Sequence, residues 1–580
     1  MRIDLNKIGE IVFQGELYTS ESVAALIMNY AQALKNKGVK RQSIVGICMR
    51  RRPEMLAAIL ACLYSGIIYV PIDSENPEQR IRYMLEDCCA VFTDNETVSR
   101  INPDGDVKLL NVDCLEDYGG AEDALLQEGG GQTDIAYLIF TSGTTGTPKG
   151  VEISCDNLEN LIEGICDIVA ISQGSRVLCF TTIGFDIFFI EGVLPLIKGA
   201  TVILANEMEQ KNPRLMARLI DNANADVIQL TPSRAQLLCN YDKNFSCFKD
   251  IKFTLLGGEV LPAELLKHMQ ECVEARIYNM YGPTETTIWS CVSDLTTSKS
   301  VNIGKPIRKT EIFILDDENR LLPDEEYGQI GIAGAGVAVG YHNNKKLTES
   351  RFIMVESERG LHRTYLTGDW GRRLPDGNYE CVGRIDNQIK IHGFRVEPEE
   401  IENVLMEYNS IYRAIICKSE GEFEGLLGFY LSEKSEDSRD IKEFLTQKLP
   451  PYMIPARFIR NASFPITSSG KVDRKRLLKE YWDQQENKQS SINLSSDERD
   501  GVRERVMRTI KSQFMEQLLE KNMFDGDLIG LGIDSVSFIS LILILEEEFE
   551  IEFDDDVLVI QNLSNVDEIV NYIEKKQLKV

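Results

Sequence analysis

The sequence predicts a large α/β body, then a smaller α+β unit, then an all-α bundle of the four-helix type at the C-terminal end. Three observations predict it. Short apolar strands alternate with amphipathic helices through the first half of the chain, a polar stretch almost free of aliphatic residues interrupts it at 481–499, and about eighty residues of helical pattern follow. A chain of 580 residues exceeds one ordinary core, so several domains are expected.

Between residues 20 and 38, Val23, Leu26, Ile27, Tyr30 and Leu34 keep helical spacing, with Ser20 set to cap the start and Gly38 the end. A strand at 44–48, a helix at 53–64 and a strand at 67–71 follow, an alternation that favours a parallel sheet covered by helices. Further strands are expected at 177–180, 201–205, 227–230 and 253–256, and the body is bounded at 1–385. The smaller unit, 386–480, contains a helical stretch at 398–408 and an apolar run at 414–417. Residues 481–499 suit a flexible tether. The last domain, 500–580, reads as helices at 502–519, 535–549 and 565–576, the third capped by Ser564 with Asp567 three residues on.

A hydrophobic content of 43% with 27% charged residues belongs to a chain that buries a core. The 63 basic and 91 acidic residues leave a net charge of -28, which repels nucleic-acid backbones and anionic membranes, and no basic patch offsets it. Charged residues interrupt the N-terminus, and the longest apolar run, 538–545 broken by Ser540, is too short for a bilayer, so a cytoplasmic protein is expected. The 14 cysteines form no C-x-x-C pair, and the histidines at 268, 342, 362 and 392 form no H-E-x-x-H, so catalysis should rest on Lys, Asp, Glu and backbone amides.

The stretch YLIFTSGTTGTPKG at 137–150 runs from an apolar strand into a loop of glycines and hydroxyls: Thr141, Ser142, Gly143, Thr144, Thr145 and Gly146, ending at Lys149. Such a loop can wrap phosphate, because glycines let the backbone approach, amides and hydroxyls donate, and a lysine offsets charge on a leaving pyrophosphate. Its spacing is not that of a Walker loop, and on composition alone an ordinary surface loop remains open.

Further motifs follow in order: FD at 185–186, NMYGPTETT at 279–287, GQIGIAG at 328–334, YLTGD at 365–369, GRIDNQIKIHG at 383–393, LPPYMIP at 449–455 and GKVDR at 470–474. With the loop, they make residues 1–480 resemble the adenylate-forming enzymes, and within them the adenylation domains of nonribosomal peptide synthetases. The resemblance implies ATP and Mg²⁺ as cofactors. It places Tyr281 against adenine, Asp369 on the ribose hydroxyls, Arg384 beside ribose and phosphate, Glu285 on Mg²⁺, and Thr284 at the α-phosphate; Gly258, Asn279 and Gly282 complete the nucleotide site. Each residue type suits its task. Lys471 would stabilise charge as a carboxylate attacks the α-phosphorus. Asp386 would be the hinge on which the small unit turns, withdrawing Lys471 and presenting residues 390–393 for a second half-reaction. His392 stands where that family usually has Arg.

LGIDS at 531–535 resembles the attachment site of acyl and peptidyl carrier proteins, which implies 4'-phosphopantetheine on Ser535, a phosphopantetheinyl transferase as partner, and a helix with an apolar stripe of Val536, Ile539 and Leu543. The acidic Glu546, Glu547, Glu548 and Glu550 form a solvated face that can also guide basic partners.

Asp186 is expected to anchor a substrate ammonium, a carboxylate in an apolar pocket needing a cation. The resemblance lines that pocket with Ile187, Ile190, Gln229, Leu255, Gly257, Met280, Ile288, Trp289 and Lys471. It implies a small amino acid, glycine before alanine. Two other readings stand beside it: a stand-alone acyl or aryl acid ligase, which would not need Asp186, and a non-catalytic nucleotide-binding scaffold, which would not keep Lys471, Asp369 and Glu285. Neither an H-H-x-x-x-D-G stretch nor a G-x-S-x-G elbow occurs, so the loaded residue is expected to pass in trans to a condensation or other acyl-accepting enzyme, in nonribosomal peptide or related antibiotic biosynthesis.

Overall fold

The computed structural model describes residues 3–101, 107–118, 134–143, 147–391, 393–408, 410–419, 425–466, 472–489, 502–503, 505–507, 509–510, 535–549, 551, 553, 563 and 565–577. The chain divides into two compact units. The first holds residues 1–397 and 447–452, the second 398–446 and 453–580.

Two large sheets organise the first unit. In the nine-stranded sheet, Arg276–Tyr281, Phe253–Gly257, Val227–Leu230, Arg176–Cys179, Thr201–Leu204 and Ile11–Phe13 run parallel in that spatial order, with antiparallel strands at both edges. In the seven-stranded sheet, Ile135–Thr141, Ile68–Pro71, Ile44–Ile47, Ala90–Thr93 and Lys108–Asn111 are parallel. Strands buried on both faces need apolar residues at every position rather than at alternate ones, and Ile68–Pro71, Thr201–Leu204 and Val227–Leu230 are buried throughout. Helix Pro53–Tyr64 is buried nearly all round, with Pro53 pre-set for the first turn. One apolar cluster joins core residues of both sheets, among them Val45, Tyr137, Val177 and Leu255.

The expected alternation of strands and helices is present, with boundaries shifted by a residue or two. Helix Ser20–Asn36 is capped by Thr19, whose Oγ1 accepts from Ser22 N at 3.3 Å, and not by Ser20. Beyond residue 300 the pattern changes. Thr310–Leu315, Gly328–Gly334, Gly360–Arg373, Phe352–Ser357 and Tyr379–Arg384 form an antiparallel five-stranded sheet, and a small ribbon pairs Ile389–Ile391 with Phe394–Val396. Residues 386–397, read from sequence as the start of the smaller unit, belong here to the first.

In the second unit, Ile411–Ser419, Gly425–Ser432 and Arg457–Arg460 form a three-stranded sheet, accompanied by helices Pro398–Met406, Ser438–Thr446 and Arg474–Gln489. The last helix corrects the sequence reading, because it carries residues 481–489 of the supposed tether. Tyr481 and Trp482 pack on the sheet cluster, and the Gln, Glu and Lys that made the stretch look like a linker are good helix formers.

Toward the C-terminus, helices Ser535–Phe549 and Val566–Gln577 share a separate core with Val506, Met507 and Ile510. Phe538, Leu541, Ile542 and Leu545 form the described buried face of the first of these; the side chains of Val536, Ile539 and Leu543 lie outside the described residues. Glu548 is not merely a solvated charge, since Arg505 Nε donates to it at 3.1 Å and the Arg505 guanidinium lies over the Phe549 ring at 4.2 Å. Ser564 lies outside the described residues, and Asn565 Oδ1 accepts from Glu568 N at 2.9 Å at the start of the last helix. Among the described residues no helix is long and apolar enough to cross a membrane. All the cysteines are free thiols.

Phe538 is fully buried in a core of few residues. Phe538→Ala should cost the C-terminal bundle about 3–5 kcal/mol and melt it ahead of the first unit. Calorimetry should resolve that as an early transition that leaves the main one in place.

Candidate active site

The glycine-rich stretch is the hairpin between Ile135–Thr141 and Lys149–Ser154, whose register places Thr141 opposite Lys149. A side chain at Gly143 would bring its Cβ to 2.2 Å from the Thr147 carbonyl, so the close turn needs glycine. Thr144, Thr145 and Gly146 lie outside the described residues. The buried Thr141 hydroxyl has no hydrogen-bond partner among the described residues.

At the centre stands Glu285, in the short turn Thr284–Thr286 and wholly buried. Arg395 Nη1 donates to its Oε2 at 2.7 Å, Tyr341 OH donates to its Oε1 at 2.7 Å, and Lys149 Nζ is 3.5 Å from Oε1. Burial opposes ionisation, but Arg395 and Lys149 outweigh it and hold the carboxyl well below its usual range. Burial, reinforced by Arg395, lowers Lys149 to about 8, and its ammonium lies 5.2 Å above the Tyr341 ring. Among the described residues no cluster of three His, Cys, Asp or Glu forms a protein-only metal cage. A Mg²⁺ here would take one carboxylate, Glu285, and complete its shell with phosphate oxygens and water, as this ion commonly does.

Beside Glu285 opens a cleft of about 520 Å³, counting its open mouth, lined by Tyr281, Thr284, Asp369, Arg384 and Lys390 among others. Tyr281 OH donates to Asp369 Oδ2 at 2.6 Å and Arg384 Nη1 to Oδ1 at 2.7 Å. Each carboxylate oxygen keeps a further acceptor site, so a vicinal diol can bind there, which fits a nucleoside ribose. Arg384 also grips Asp386 through Nε and Nη2 at 2.7 and 2.9 Å. Asn279 is differently placed: buried, it donates from Nδ2 to the Asn302 carbonyl at 2.8 Å and does not line the cleft. Gly258 and Gly282 line it. A Cβ at Gly282 would stand 2.4 Å from the Ile288 carbonyl.

Asp186 lies in the cleft wall, shortly before the π-turn Phe189–Val193, a type of irregularity frequent at functional sites. Glu191 ties that turn to the strand end, accepting from Phe180 N and Thr181 N, both at 2.7 Å. Burial pushes the Asp186 carboxyl up to about 6, against the hydrogen bonds it accepts from Thr284 and the Ile187 amide. Ile187, Ile288 and Trp289 border the cleft with it. Ile190, Gln229, Leu255 and Met280, expected from sequence to line the pocket, are buried and are not among the residues that line the cleft. The Trp289 indole packs so tightly on Gly257 that a Cβ there would be 2.5 Å from its ring. Thr287 and Ile288 hold φ of +63° and +66°, a left-handed conformation that β-branched residues rarely adopt. Their strain is held by Thr287 Oγ1 donating to the Gly336 carbonyl at 2.6 Å and Ser290 N to the Tyr281 carbonyl at 2.8 Å.

Lys471 and His392 lie outside the described residues, as does the side chain of Ser535, which opens helix Ser535–Phe549. The first residue of a helix is a position from which a serine can carry an attached group away from a bundle. Sequence reasoning missed Tyr341, Arg395 and Glu259, whose carboxylate accepts from Ser233 N at 2.9 Å and from Gly393 N at 2.6 Å. Arg395 stands two residues beyond the motif that ended at Gly393, so a slightly longer window would have included it; Tyr341 and Glu259 gave no signal.

The AMP-binding enzyme family matches residues 8–342, and the phosphopantetheine attachment site family matches 505–573. A dimodular nonribosomal peptide synthase of Bacillus subtilis is 34% identical over 461 residues, 77% of this chain and 19% of that protein. A nonribosomal peptide synthetase protein containing adenylation and carrier domains has the same fold, with TM-score 0.80, 21% identity, and coverage of 98% of this chain and 94% of that one. A four-domain nonribosomal peptide synthetase bound to AMP and glycine is 26% identical with TM-score 0.61, covering 99% of this chain and 42% of that one. The matched stretch spans less than half the length of the curated relatives, from 7% to 43%.

Asp186 must be ionised to hold an ammonium, and its raised pKa makes protonation begin near pH 6 rather than near 4. Affinity for any ligand held through an ammonium on Asp186, with glycine as the probe, should therefore fall as pH drops through 6, approaching about tenfold per unit below it. Calorimetric titration between pH 5 and 7.5 measures this. Asp186→Asn should bind weakly at every pH and show no such slope.

Proposed function

We propose, for a chain that belongs to the AMP-binding enzyme family and carries a phosphopantetheine attachment domain, that it activates a small amino acid as aminoacyl-AMP and loads it onto Ser535. Glycine is the favoured substrate and alanine the next. The observation that carries this reading is that Asp186 and Trp289 line one cleft, with the Trp289 ring packed on Gly257. An aryl or acyl acid offers no ammonium to a buried carboxylate, whereas an amino acid does. The 26% identical synthetase bound to AMP and glycine supports the choice of side chain.

ATP supplies the adenylyl group, and Mg²⁺ offsets phosphate charge. The residues do the positioning. Asp186 holds the α-ammonium, so the substrate carboxylate turns toward Thr284 and the α-phosphorus. Asp369, steadied by Tyr281 and Arg384, accepts from the ribose hydroxyls. Glu285 is the metal carboxylate. Lys149, desolvated and flanking Glu285, stabilises charge on the departing pyrophosphate. Lys471 stabilises the transition state of adenylation, and a turn at Asp386 then exchanges it for residues 390–393, which admit the phosphopantetheine thiol. Lys390 and Gly393 already line the cleft, consistent with that second arrangement. A phosphopantetheinyl transferase arms Ser535, and a condensation or other acyl-accepting enzyme receives the residue in a cytoplasmic peptide pathway.

Pyrophosphate exchange across the twenty amino acids tests the substrate. Glycine should be fastest, alanine weaker, and leucine or phenylalanine near background, because apolar walls exclude larger groups by overlap. A preference for a large or charged amino acid refutes the pocket reading. Lys471→Ala should slow adenylation on the order of 10²-fold while sparing thioester formation from presynthesised aminoacyl-AMP. Ser535→Ala should abolish the mass gained from CoA and a phosphopantetheinyl transferase; an equal gain in the variant places the arm elsewhere.

A further inference from the structure

Asp186 sits at the middle of a segment whose two ends meet. The segment leaves strand Arg176–Cys179 at Phe180 and Thr181 and comes back to them at Glu191, which is wholly buried. Glu191 Oε2 accepts from Phe180 N and Thr181 N, both at 2.7 Å, and its Oε1 accepts from the Thr181 hydroxyl. A carboxylate bonded in this way fixes its own backbone to the strand end, because leaving those buried amides without an acceptor is unfavourable.

Both the anchor and the segment are stiff. Arg51 donates to the carbonyls of Cys179, Thr181 and Ala205, which pins the strand end. A Cβ at Gly192 would stand 2.8 Å from Leu56, so the chain just beyond Glu191 lies tight on helix Pro53–Tyr64. Between the ends, each turn is bonded to the next: Phe185 N donates to the Thr182 carbonyl at 3.1 Å, Phe189 N to that of Asp186 at 3.0 Å, and Ile190 N and Glu191 N to that of Ile187 at 2.9 and 3.3 Å. A second tether joins the segment to the other large sheet, Thr182 Oγ1 donating at 2.6 Å to Asp73 in the loop after strand Ile68–Pro71. A shift of Glu191 therefore reaches the Asp186 backbone through a continuous hydrogen-bonded turn.

We propose that Glu191 is a positioning residue of the ammonium site: by closing residues 181–191 on the strand end, with Thr182 tied to Asp73, it sets where the Asp186 carboxylate stands against the substrate. The inference rests on the amino-acid activation proposed above. Glu191 is not among the residues that line the cleft, and it acts through Asp186. A contact between an ammonium and a carboxylate is short and directional, and a displacement of about 1 Å costs up to about 10²-fold. Tyr281, Asp369 and Arg384 stand on other strands, Arg276–Tyr281, Gly360–Arg373 and Tyr379–Arg384, so the nucleotide half of the site keeps its geometry when the segment is released.

Pyrophosphate exchange by the full chain tests this, with ATP and the amino acid that wild type turns over fastest among the twenty. Glu191→Ala should raise KM for the amino acid about tenfold and leave KM for ATP within about twofold. Glu191→Gln should return toward wild type, because its carbonyl accepts from the two amides and its NH2 donates to the Thr181 hydroxyl oxygen. Thr182→Val, a milder change at a half-buried site, frees the other tether and should raise the same KM by a smaller factor; it carries the comparison if Glu191→Ala melts early. An unchanged amino-acid KM in the folded variants overturns the proposal. So does an equal rise in both KM values, the mark of general loosening, or a Gln variant as impaired as the Ala variant, the mark of a lost charge. If wild type exchanges pyrophosphate with none of the twenty, the activation reading itself falls, and the positioning role with it.

Discussion

A carboxylate with no solvent around it needs compensation wherever it stands, and Glu285 draws that compensation from three separate stretches of chain. Lys149 arrives from the hairpin of the seven-stranded sheet, Tyr341 from the strand Gly340–Tyr341 paired to that hairpin, and Arg395 from the ribbon that closes the first unit. Because one charge satisfies all three, the elements that carry them are held in common alignment. The uneven titration of the site follows from the same arrangement: Glu285 is held ionised by its cations, Lys149 is lowered by burial and by Arg395, and Asp186 is raised by a burial that its hydrogen bonds from Thr284 and the Ile187 amide do not offset. A ligand that brings an ammonium completes the set.

Much of this was legible in the sequence because the signals were local. Helix Pro53–Tyr64 and strand Val227–Leu230 were read to the residue, since Pro53 pre-sets the first turn of the helix and Pro232 soon after Leu230 starts the next one. The family motifs identified Lys149, Asp186, Glu285, Asp369 and Arg384, and the structure brings all five to one region. What escaped was non-local. The antiparallel sheet after residue 300 depends on pairings between distant segments, and nothing in the text near Tyr341 announces a partner 56 residues away in Glu285. Thr19 rather than Ser20 caps the first long helix because two adjacent hydroxyl residues compete for one position and only the backbone decides. The helix running to Gln489 escaped for a related reason: polarity was read as looseness, whereas burial of Tyr481 anchors it.

The pocket walls are not a separate layer. Ile187, Ile190, Leu255, Met280, Ile288 and Trp289 belong to the same apolar cluster that joins the two parallel sheets. Ile187, Ile288 and Trp289 thus border the cleft and hold the fold at once, and a cavity cut among them removes contacts from the main core. The buried Gln229 Oε1 and Trp289 Nε1, both without a hydrogen-bond partner among the described residues, add polar groups to that core at a desolvation cost.

The left-handed pair Thr287 and Ile288 bears on how such an enzyme could diversify. Most adaptive paths to a new substrate are pictured as exchanges of wall residues, one side chain for another. Here the wall hangs on a backbone that is itself under tension, held by Thr287 to Gly336 and by Ser290 to Tyr281. Releasing either tether would let the peptide relax and carry Ile288 and Trp289 away from Gly257 together. A mutation outside the wall, at Thr287 or in the stretch around Gly336, can thus act as a coarse adjustment of aperture, with changes at Trp289 or Gly257 as the fine one. Promiscuous intermediates in a lineage would then be found among variants with an altered turn and an unaltered lining.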